Sequence, residues 1–291
     1  MASSKNKSVV FALISVAIWS TLSTVAKLVL GALPNLETLG VSSLFAFLFM
    51  AAALLVSGKY RLLKMYAPRQ YFKMAALGFL GLFLYSALYY FGLGSLTAGE
   101  ACILNYLWPV MLVLFSCVIL KEKLTMKMAI ALLCSFAGVV VLSFGGSNEG
   151  GGRWIGMAAC VIAAACYGLY CVLNKKSGFD QTVMMTVVWL TVTVCCFAVG
   201  PFIEEWAMPA GMQWVGLVWL GVFVNAAAYL TWGLALQKAE GTALVANLAY
   251  IVPFLSVIIS TAVLKEELKL TAVAALVLIV GGILLQSVKH E

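Results

Sequence analysis

Long apolar runs alternate with short polar breaks along the whole chain. Each run holds roughly 20 residues, the length that an α-helix needs to cross the hydrocarbon core of a bilayer. The breaks consist of charged residues, glycine, proline or asparagine. The pattern predicts ten membrane-spanning helices, over residues 9–30, 36–57, 72–92, 98–120, 126–144, 154–174, 182–203, 212–236, 242–264 and 270–288.

The ends of two predicted helices repeat each other. In helix 4, Pro109 starts an apolar run that closes in Leu-Lys-Glu-Lys-Leu, and in helix 9 Pro253 starts a run of the same length that closes in Leu-Lys-Glu-Glu-Leu. A second match aligns Trp19 with Tyr167, and each is followed by a lysine eight residues later. The two matches indicate a duplicated unit, which in membrane chains is typical of transporters with a substrate site between the halves.

A glycine-rich stretch separates the two copies. Residues 145–152 read Gly-Gly-Ser-Asn-Glu-Gly-Gly-Gly, a composition typical of a flexible linker. Five predicted helices precede it and five follow it. Because five is odd, the second copy has to enter the membrane from the opposite side. The sequence thus predicts an all-α, polytopic membrane protein of ten transmembrane helices, arranged as two inverted five-helix repeats over residues 1–145 and 153–291.

Composition and charge support a membrane location. Hydrophobic residues make up 64% of the chain and charged residues 10%, which leaves more apolar surface than a soluble protein of 291 residues can bury. Cytoplasmic loops of membrane proteins collect lysine and arginine, so both termini are predicted to be cytoplasmic. In that orientation all but four of the 18 basic residues lie in the cytoplasm, the exceptions being Lys27, Arg153, Lys265 and Lys269. Because the basic residues are scattered over short loops, we expect no nucleic-acid partner.

Residues for catalysis or metal binding are missing from the predicted helices. The single histidine, His290, lies beyond the last of them, which leaves no histidine for a metal site or a nucleophilic triad in the bilayer. The eight cysteines fall in apolar runs without a Cys-x-x-Cys pair, so we interpret them as small packing residues. We therefore expect no catalytic residue, no metal and no cofactor, and the protein is predicted not to be an enzyme.

Six of the predicted helices carry polar or aromatic side chains that share one helix face. Residues three or four positions apart lie on the same side of a helix, and an amide buried in hydrocarbon needs a partner. These pairs are the candidate substrate-binding residues: Trp19 and Ser23, Tyr85 and Tyr89, Asn105 and Trp108, Tyr167 and Tyr170, Asn225 and Tyr229, and Asn247 and Tyr250. Hydrogen bonding between helices and simple packing are alternative roles for the same residues.

The centres of the predicted helices carry no Asp, Glu, Lys or Arg. A transporter of sugar phosphates is expected to place a basic residue in its pocket, and a proton-coupled exporter of cationic drugs is expected to hold a central carboxylate. A neutral, ring-lined cavity instead suits a zwitterion with an apolar or aromatic side chain. Aromatic rings also attract cations, so export of varied cationic drugs stays open as an alternative.

Several motifs together resemble one known family. They are the Ala-Ile-Trp-Ser-Thr run that leads to Lys27, the Ala-Gly-Glu-Ala entry to helix 4 at 98–101, the helices that contain Pro109 and Pro253, and the paired Leu-Lys-Glu endings. Over nearly its whole length, the chain is similar to the EamA domains of the drug/metabolite transporter superfamily. The resemblance implies a basket of ten helices with a central cavity formed by helices 1, 3, 4, 6, 8 and 9, while helices 5 and 10 lie at the periphery.

A narrower resemblance concerns the substrate. Residues 100–110, Glu-Ala-Cys-Ile-Leu-Asn-Tyr-Leu-Trp-Pro-Val, resemble the aromatic amino-acid exporters of bacterial inner membranes. The resemblance implies an exporter of aromatic and other neutral amino acids, embedded in the inner membrane and working by alternating access. The alternatives are a polyspecific drug exporter of the same fold and a membrane scaffold or receptor without transport activity.

Pro109 and Pro253 are the candidate gating residues. Each proline removes one backbone hydrogen bond and tends to kink its helix, which leaves a carbonyl for a substrate, a water molecule or a neighbouring side chain. We hypothesise that the two helices bend alternately and so close the outer or the inner mouth of the cavity. Proline kinks are also common in membrane helices that have no gating role, and this alternative stays open.

Overall fold

A computed structural model of the protein describes residues 2–121, 126–144, 151–238 and 248–287, and over these residues the chain is helical without a β-strand. Its α-helices are α1 (Ala2–Trp19), α2 (Leu22–Leu30), α3 (Asn35–Val56), α4 (Pro68–Gly78), α5 (Tyr85–Ser95), α6 (Ala98–Asn105), α7 (Trp108–Ile119), α8 (Met126–Ser143), α9 (Gly151–Ser177), α10 (Gln181–Ile203), α11 (Met212–Val218), α12 (Ala228–Lys238), α13 (Val252–Leu264) and α14 (Leu270–Ser287). Two π-helical segments, Phe79–Leu84 and Trp219–Ala227, join α4 to α5 and α11 to α12. Two 3-10 turns, Lys59–Met65 and Ala249–Ile251, precede α4 and α13.

Seven helical stretches in the described ranges are long and apolar enough to cross a membrane. They are Lys7–Leu30, Asn35–Val56, Pro68–Ser95, Ala98–Ile119, Gly151–Asn174, Gln181–Ile203 and Met212–Trp232. Shorter apolar helices are Leu132–Leu142, Ala249–Leu264 and Leu270–Gly282. Each predicted helix overlaps one of these stretches. The prediction of an all-α, multi-pass membrane protein is therefore confirmed.

Large apolar side chains cover the outside of the bundle. Phe72, Val118 and Leu133, for example, expose 75%, 76% and 70% of their surface. Soluble monomers rarely expose contiguous apolar surface on this scale, because in water such a surface binds other molecules or aggregates. In a bilayer the same surface faces lipid tails, and the packing between helices then depends on close contact and hydrogen bonds.

The sixth predicted helix begins earlier than the sequence suggested. Its counterpart α9 starts at Gly151, so the last two glycines of the predicted linker are helical. The rest of that linker, residues 145–150, lies outside the described residues. Glycine lowers helix stability by about 1 kcal/mol relative to alanine, but the apolar run that follows packs against neighbouring helices and outweighs this cost.

Helices from distant parts of the chain pack side by side. α3 packs against α10, α5 and α7 pack against α9, and α1 packs against α12. Gly168 permits the close approach of α9 to α7, because a Cβ atom at this position would lie 2.8 Å from the backbone nitrogen of Leu112. α8 and α14 pack mainly against each other. This pair thus stands apart from the rest of the described bundle.

Four charged residues, Lys27, Glu100, Arg153 and Glu266, gather where α6 begins, and we call them the polar cluster. Glu100 forms a capping box with Thr97: the backbone N–H of each residue donates to the side chain of the other at 3.1 Å. Arg153 Nη2 donates to Glu100 Oε1 at 2.9 Å. The side chains of Arg153 and Glu100 are only 7% and 11% exposed, so water screens this ion pair weakly.

The other half of the polar cluster ties the segment after α13 to the start of α6. The two carboxylate oxygens of Glu266 accept the backbone N–H groups of Ala98 at 2.8 Å and Gly99 at 3.3 Å. A carboxylate at a helix amino terminus also interacts favourably with the helix dipole. Lys27 Nζ lies 4.0 Å from Glu266 Oε1 and donates to the carbonyl of Leu93 at 3.0 Å. Glu266 and Lys27 thereby hold three separate parts of the chain together.

An exposed ion pair joins two loops elsewhere in the bundle. Lys59 Nζ donates to Asp180 Oδ2 at 2.8 Å, and the side chains are 40% and 25% exposed. Asp180 also caps α10 by accepting the N–H groups of Thr182 and Val183. Partial burial raises the pKa of Asp180, but the hydrogen bond and charge of Lys59 and the two capping N–H groups together hold this pKa below its ordinary value. Exposed pairs of this kind contribute about 0–1 kcal/mol to stability.

Candidate functional site

Helices are interrupted where the candidate residues lie. α6 ends at Asn105 and α7 begins at Trp108, with Pro109 as its second residue. A proline ring clashes with the carbonyl four residues earlier, here that of Asn105, so the break falls where proline chemistry places it. The same reasoning applies to Pro253, which follows the 3-10 turn Ala249–Ile251. Such breaks expose backbone groups and redirect the side chains beside them.

A cavity of about 360 Å³ opens between these interrupted helices. The predicted residues in its lining are Trp19, Tyr85, Tyr89, Asn105, Trp108, Pro109, Tyr167, Asn225, Tyr229 and Tyr250. They come from α1, α5, α6, α7, α9, α12, one π-helical segment and the turn before α13. Among the described residues, neither α8 nor α14 contributes to the lining. This arrangement agrees with what the family resemblance implied for helices 5 and 10.

One wall of the cavity is a continuous row of aromatic rings. Trp108 meets Tyr167 edge to face, with ring centroids 5.3 Å apart. Tyr167 lies 5.0 Å from Tyr85, which stacks in parallel on Tyr89 at 6.1 Å. Aromatic pairs at these distances attract each other by about 0.5–1.5 kcal/mol beyond their apolar contact. The row therefore forms a stable apolar surface on which a flat ligand group can stack.

A second group of rings belongs to α1 and α12. Trp19 packs against Tyr229 at 5.3 Å with the ring planes at 74°, and against Trp232 at 5.4 Å. α1 and α12 are also joined by hydrogen bonds, since Ser15 Oγ donates to the carbonyl of Ala228 at 2.9 Å. The second group thus joins residues from distant parts of the sequence, and both groups of rings lie in one cavity.

The polar groups in the lining are neutral. Asn105 Nδ2 donates to Tyr85 Oη at 3.2 Å, which links α6 to α5. Tyr106 Oη donates to the carbonyl of Ala249 at 3.0 Å, which links the α6–α7 break to the turn before α13. No Asp, Glu, Lys, Arg or His is found among the lining residues in the described part of the chain. The cavity can bind a ligand through ring contacts and hydrogen bonds, without a fixed charge.

The remaining candidate residues that the structure describes lie outside the lining. Ser23 hydrogen-bonds to Ser256 at 2.7 Å and so fastens α2 to α13. Tyr170 is 2% exposed and packs against the π-helical segment at Gly81. Pro253 is buried within α13 and is not part of the lining. Asn247 lies outside the described residues.

Several lining residues were not anticipated from the sequence. They include Ser86, Tyr90, Tyr106, Trp189 and Trp232. Trp232 and Tyr229 are three residues apart on α12, and this spacing is a usable sequence signal for a shared helix face. Trp189 lies on α10, the counterpart of predicted helix 7, which the family resemblance did not place at the cavity. Nothing in the sequence around Trp189 distinguishes it from a tryptophan that faces lipid.

Comparison with known proteins identifies relatives over nearly the whole chain. A family model described as "EamA-like transporter family" matches residues 6–144 and again residues 154–288. An "Aromatic amino acid exporter YddG" from Ancylobacter novellus is 26% identical over 285 residues, which is 96% of each chain. An "Uncharacterized transporter YvbV" from Bacillus subtilis is 29% identical over 218 residues, 73% of this chain and 70% of that protein.

A solved structure supports the fold. A crystal structure with 24% sequence identity superimposes with a TM-score of 0.71, and the match covers 97% of this chain and 95% of that chain. At this level of identity the likeness concerns the fold alone. The family match, in contrast, confirms the resemblance that the motifs around Lys27, Pro109 and Pro253 indicated.

Proposed function

The chain belongs to the EamA-like transporter family, and from this premise we propose that it exports amino acids, aromatic and other neutral ones, by alternating access through the central cavity. The observation that carries the proposal is the neutral, ring-lined cavity. A zwitterion has no net charge to be balanced, and an aromatic side chain gains by stacking on rings such as Tyr85 and Trp108. The similarity to an aromatic amino-acid exporter supports the same substrate class.

Cavity size also favours a small substrate. Ligand sites usually measure about 300–1,000 Å³, and this cavity of about 360 Å³ lies at the lower end of that range. A single amino acid matches such a volume better than a nucleotide sugar or a large drug. The lack of a lining cation among the described residues further disfavours phosphorylated substrates, which are usually bound by Arg or Lys.

Transport of phenylalanine by the purified protein tests this function. Liposomes that contain the protein are expected to move labelled L-phenylalanine down its gradient, whereas protein-free liposomes do not. Trp108→Ala removes a ring from the cavity wall and is expected to lower kcat/KM about tenfold, because a lost aromatic contact costs about 1.4 kcal/mol. The matched control is Trp154→Ala, since Trp154 is 56% exposed on the outside of α9. Equal loss in both variants, or no flux at all, would contradict the proposal.

We also propose that ten transmembrane helices form two inverted repeats, residues 1–145 and 153–291. Backbone features recur at matching positions and support this arrangement. α7 and α13 each carry proline near their first turn, and each is followed by a lysine with a left-handed backbone, Lys121 at φ 57° and Lys265 at φ 54°. The two π-helical segments also fall in matching stretches, the third and the eighth in chain order.

The proposed orientation places both termini in the cytoplasm of a bacterial inner membrane. The distribution of lysine and arginine supports it. Two repeats of five helices also make ten crossings, an even number, which places both termini on the same side. The polar cluster at the start of α6 then lies on the outer side. Its basic members, Lys27 and Arg153, are engaged with Glu266 and Glu100, which explains why these two cations depart from the charge bias.

Pro109 and Pro253 are proposed to permit the bending that alternating access requires. Alanine restores a backbone N–H and removes the ring clash, so each helix is expected to become straighter and stiffer. Pro109→Ala and Pro253→Ala should each lower the maximal rate of phenylalanine flux severalfold, with a smaller effect on its KM. The control is Pro201→Ala, since Pro201 lies inside α10 and outside the cavity lining. Unchanged rates in both gating variants would rule out this role.

A polyspecific exporter of cationic drugs is the second candidate function. The ring pairs around Trp19 and Tyr167 favour it, because aromatic faces bind quaternary ammonium groups. Competition separates the two functions: quaternary ammonium compounds such as benzyltrimethylammonium should leave phenylalanine flux unaffected if amino acids are the substrate. Potent inhibition, with transport of the labelled ammonium compound itself, would favour the drug exporter.

A further inference from the structure

Two buried amides in the cavity wall have unused hydrogen-bonding atoms. Asn105 Oδ1 and Asn225 Nδ2 have no partner among the described residues, and each asparagine is only 8% exposed. The indole Nε1 of Trp189, which is 2% exposed and also lines the cavity, lacks a partner as well. An unpaired buried polar group is unfavourable, because the loss of its hydration is not offset by a hydrogen bond. Three such groups around one cavity are placed where they can hydrogen-bond to a ligand.

The unpaired atom of Asn105 differs in hydrogen-bonding character from those of Asn225 and Trp189. Asn105 uses one N–H of its Nδ2 group on Tyr85, and its unpaired atom is the carbonyl oxygen Oδ1, an acceptor. The unpaired Nδ2 of Asn225 and the unpaired Nε1 of Trp189 are both N–H donors. An ammonium group can only donate hydrogen bonds, and a carboxylate can only accept them. One acceptor and two donors therefore match the two ends of an amino acid.

We propose that Asn105 Oδ1 binds the α-ammonium group of the substrate and that Asn225 Nδ2, together with Trp189 Nε1, binds its carboxylate. The inference rests on the proposed amino-acid transport and assigns the polar ends of the substrate within the same cavity. The substrate side chain then lies along the ring row of Trp108, Tyr167 and Tyr85. Asn105 belongs to the first half of the chain and Asn225 to the second, so one zwitterion bridges both halves.

Neutral partners suit release as well as binding. A hydrogen bond between a neutral and a charged group is weaker than an ion pair in the same surroundings, so the substrate is held without a deep energy minimum. A transporter has to give up its substrate on the far side, and tight binding would slow that step. The use of amides in place of charged side chains is consistent with this need.

Three competitors test the assignment in liposomes that contain the full-length protein. L-Phenylalanine carries both polar ends, phenethylamine lacks the carboxylate, and 3-phenylpropionate lacks the ammonium group. Each loss is expected to weaken competition against labelled phenylalanine about tenfold to hundredfold in the wild type. The Asn225→Leu variant should bind phenylalanine more weakly by a similar factor and phenethylamine unchanged. The Asn105→Leu variant should weaken phenylalanine and phenethylamine but leave 3-phenylpropionate unchanged.

A charge variant keeps the test decisive if a leucine variant does not fold. Asn225→Asp preserves the size of the side chain but replaces the donor by an acceptor. This variant should bind phenethylamine more tightly and 3-phenylpropionate more weakly than the wild type, a change of opposite sign that a packing defect does not produce. Leu112→Ala is the matched control, because Leu112 lines the cavity without a polar atom and should affect all three compounds alike.

The outcomes separate this inference from the proposed function. If the wild type moves no labelled amino acid, the proposed function fails. If the wild type transports phenylalanine but both asparagine variants weaken all three compounds equally, the function stands and the assignment of polar ends is wrong. A reversed pattern, in which Asn105 variants spare phenethylamine and Asn225 variants spare 3-phenylpropionate, would also overturn the assignment.

Discussion

Replacement of Arg153 by methionine is expected to lower the free energy of unfolding by about 3–5 kcal/mol. Arg153 Nη2 donates to Glu100 Oε1 and to the carbonyl of Leu142, each at 2.9 Å, in a setting where both charged side chains are nearly excluded from water. Methionine fills similar space but leaves the carboxylate of Glu100 buried without its cation. The loss is large because an uncompensated buried charge costs far more than a water-screened pair contributes.

Thermal unfolding in detergent measures this effect. A loss of 3–5 kcal/mol corresponds to a fall of roughly 6–20 °C in the unfolding midpoint. Lys59→Met is the matched control, because it removes the cation of an exposed pair with Asp180 and is expected to cost no more than about 1 kcal/mol. The double variant Arg153→Met with Glu100→Leu should recover part of the loss. If Arg153→Met destabilised the protein no more than Lys59→Met, the buried pair would not be structurally important.

Replacement of Glu266 by alanine is expected to open the bundle at the polar cluster. The carboxylate holds the backbone N–H groups of Ala98 and Gly99 and lies beside Lys27, so its loss releases the segment after α13 from the start of α6. Hydrogen bonds to charged groups contribute about 1.5–3 kcal/mol. If they favour the closed form by that amount, the open form becomes about tenfold to hundredfold more populated in the variant.

Cys102 provides a reporter for this opening. It is 5% exposed, lines the cavity and lies on α6 one turn beyond Ala98. In a variant whose other seven cysteines are alanine, a membrane-impermeant maleimide is applied to the side that carries Glu266. Glu266→Ala should raise the labelling rate of Cys102 at least tenfold. Glu267→Ala is the matched control, because Glu267 follows Glu266 in the chain and its side chain is exposed. Equal rates in the two variants would show that Glu266 does not hold this end closed.

The membrane-spanning stretches could be predicted from the sequence because the bilayer enforces them locally. Any segment that crosses hydrocarbon has to be apolar for about 20 residues and has to satisfy its own backbone hydrogen bonds, which only a helix does within one segment. Each predicted helix accordingly overlaps an apolar helix of the structure. The neutral, aromatic character of the cavity was also readable, because charged residues are absent from the centres of the runs.

The direction in which each side chain points could not be read in the same way. Spacing alone predicts that Ser23 and Tyr170 line the cavity, yet Ser23 hydrogen-bonds to Ser256 and Tyr170 packs against Gly81. Trp189 shows the opposite case, since the spacing of polar and aromatic residues does not predict it, yet it lines the cavity. The rotation of a helix about its axis depends on which neighbours it packs against, and spacing within one helix carries no such information.

Interruptions in the helices account for much of the remaining difference between the helix faces predicted from spacing and those in the structure. One residue in an α-helix turns the chain by about 100°, so an inserted π-helical residue rotates every side chain that follows it. The segments Phe79–Leu84 and Trp219–Ala227 contain no proline, so the sequence does not indicate a break there. The direction in which the side chains of Tyr85 and Tyr229 point depends on these segments. Pro109, in contrast, marked its break in the sequence.

By itself, the sequence determined the class of the protein, the positions of its apolar helices, its membership in a transporter family and the uncharged character of its central cavity. These properties follow from composition, length and local motifs, which a linear chain displays directly. Only the tertiary structure decided which rings meet in one cavity, that Asn105 and Asn225 keep unpaired atoms there, and that Glu266 caps a helix more than 160 residues earlier in the chain. Contacts of this kind are formed by segments far apart in sequence, so they exist only once the helices have packed.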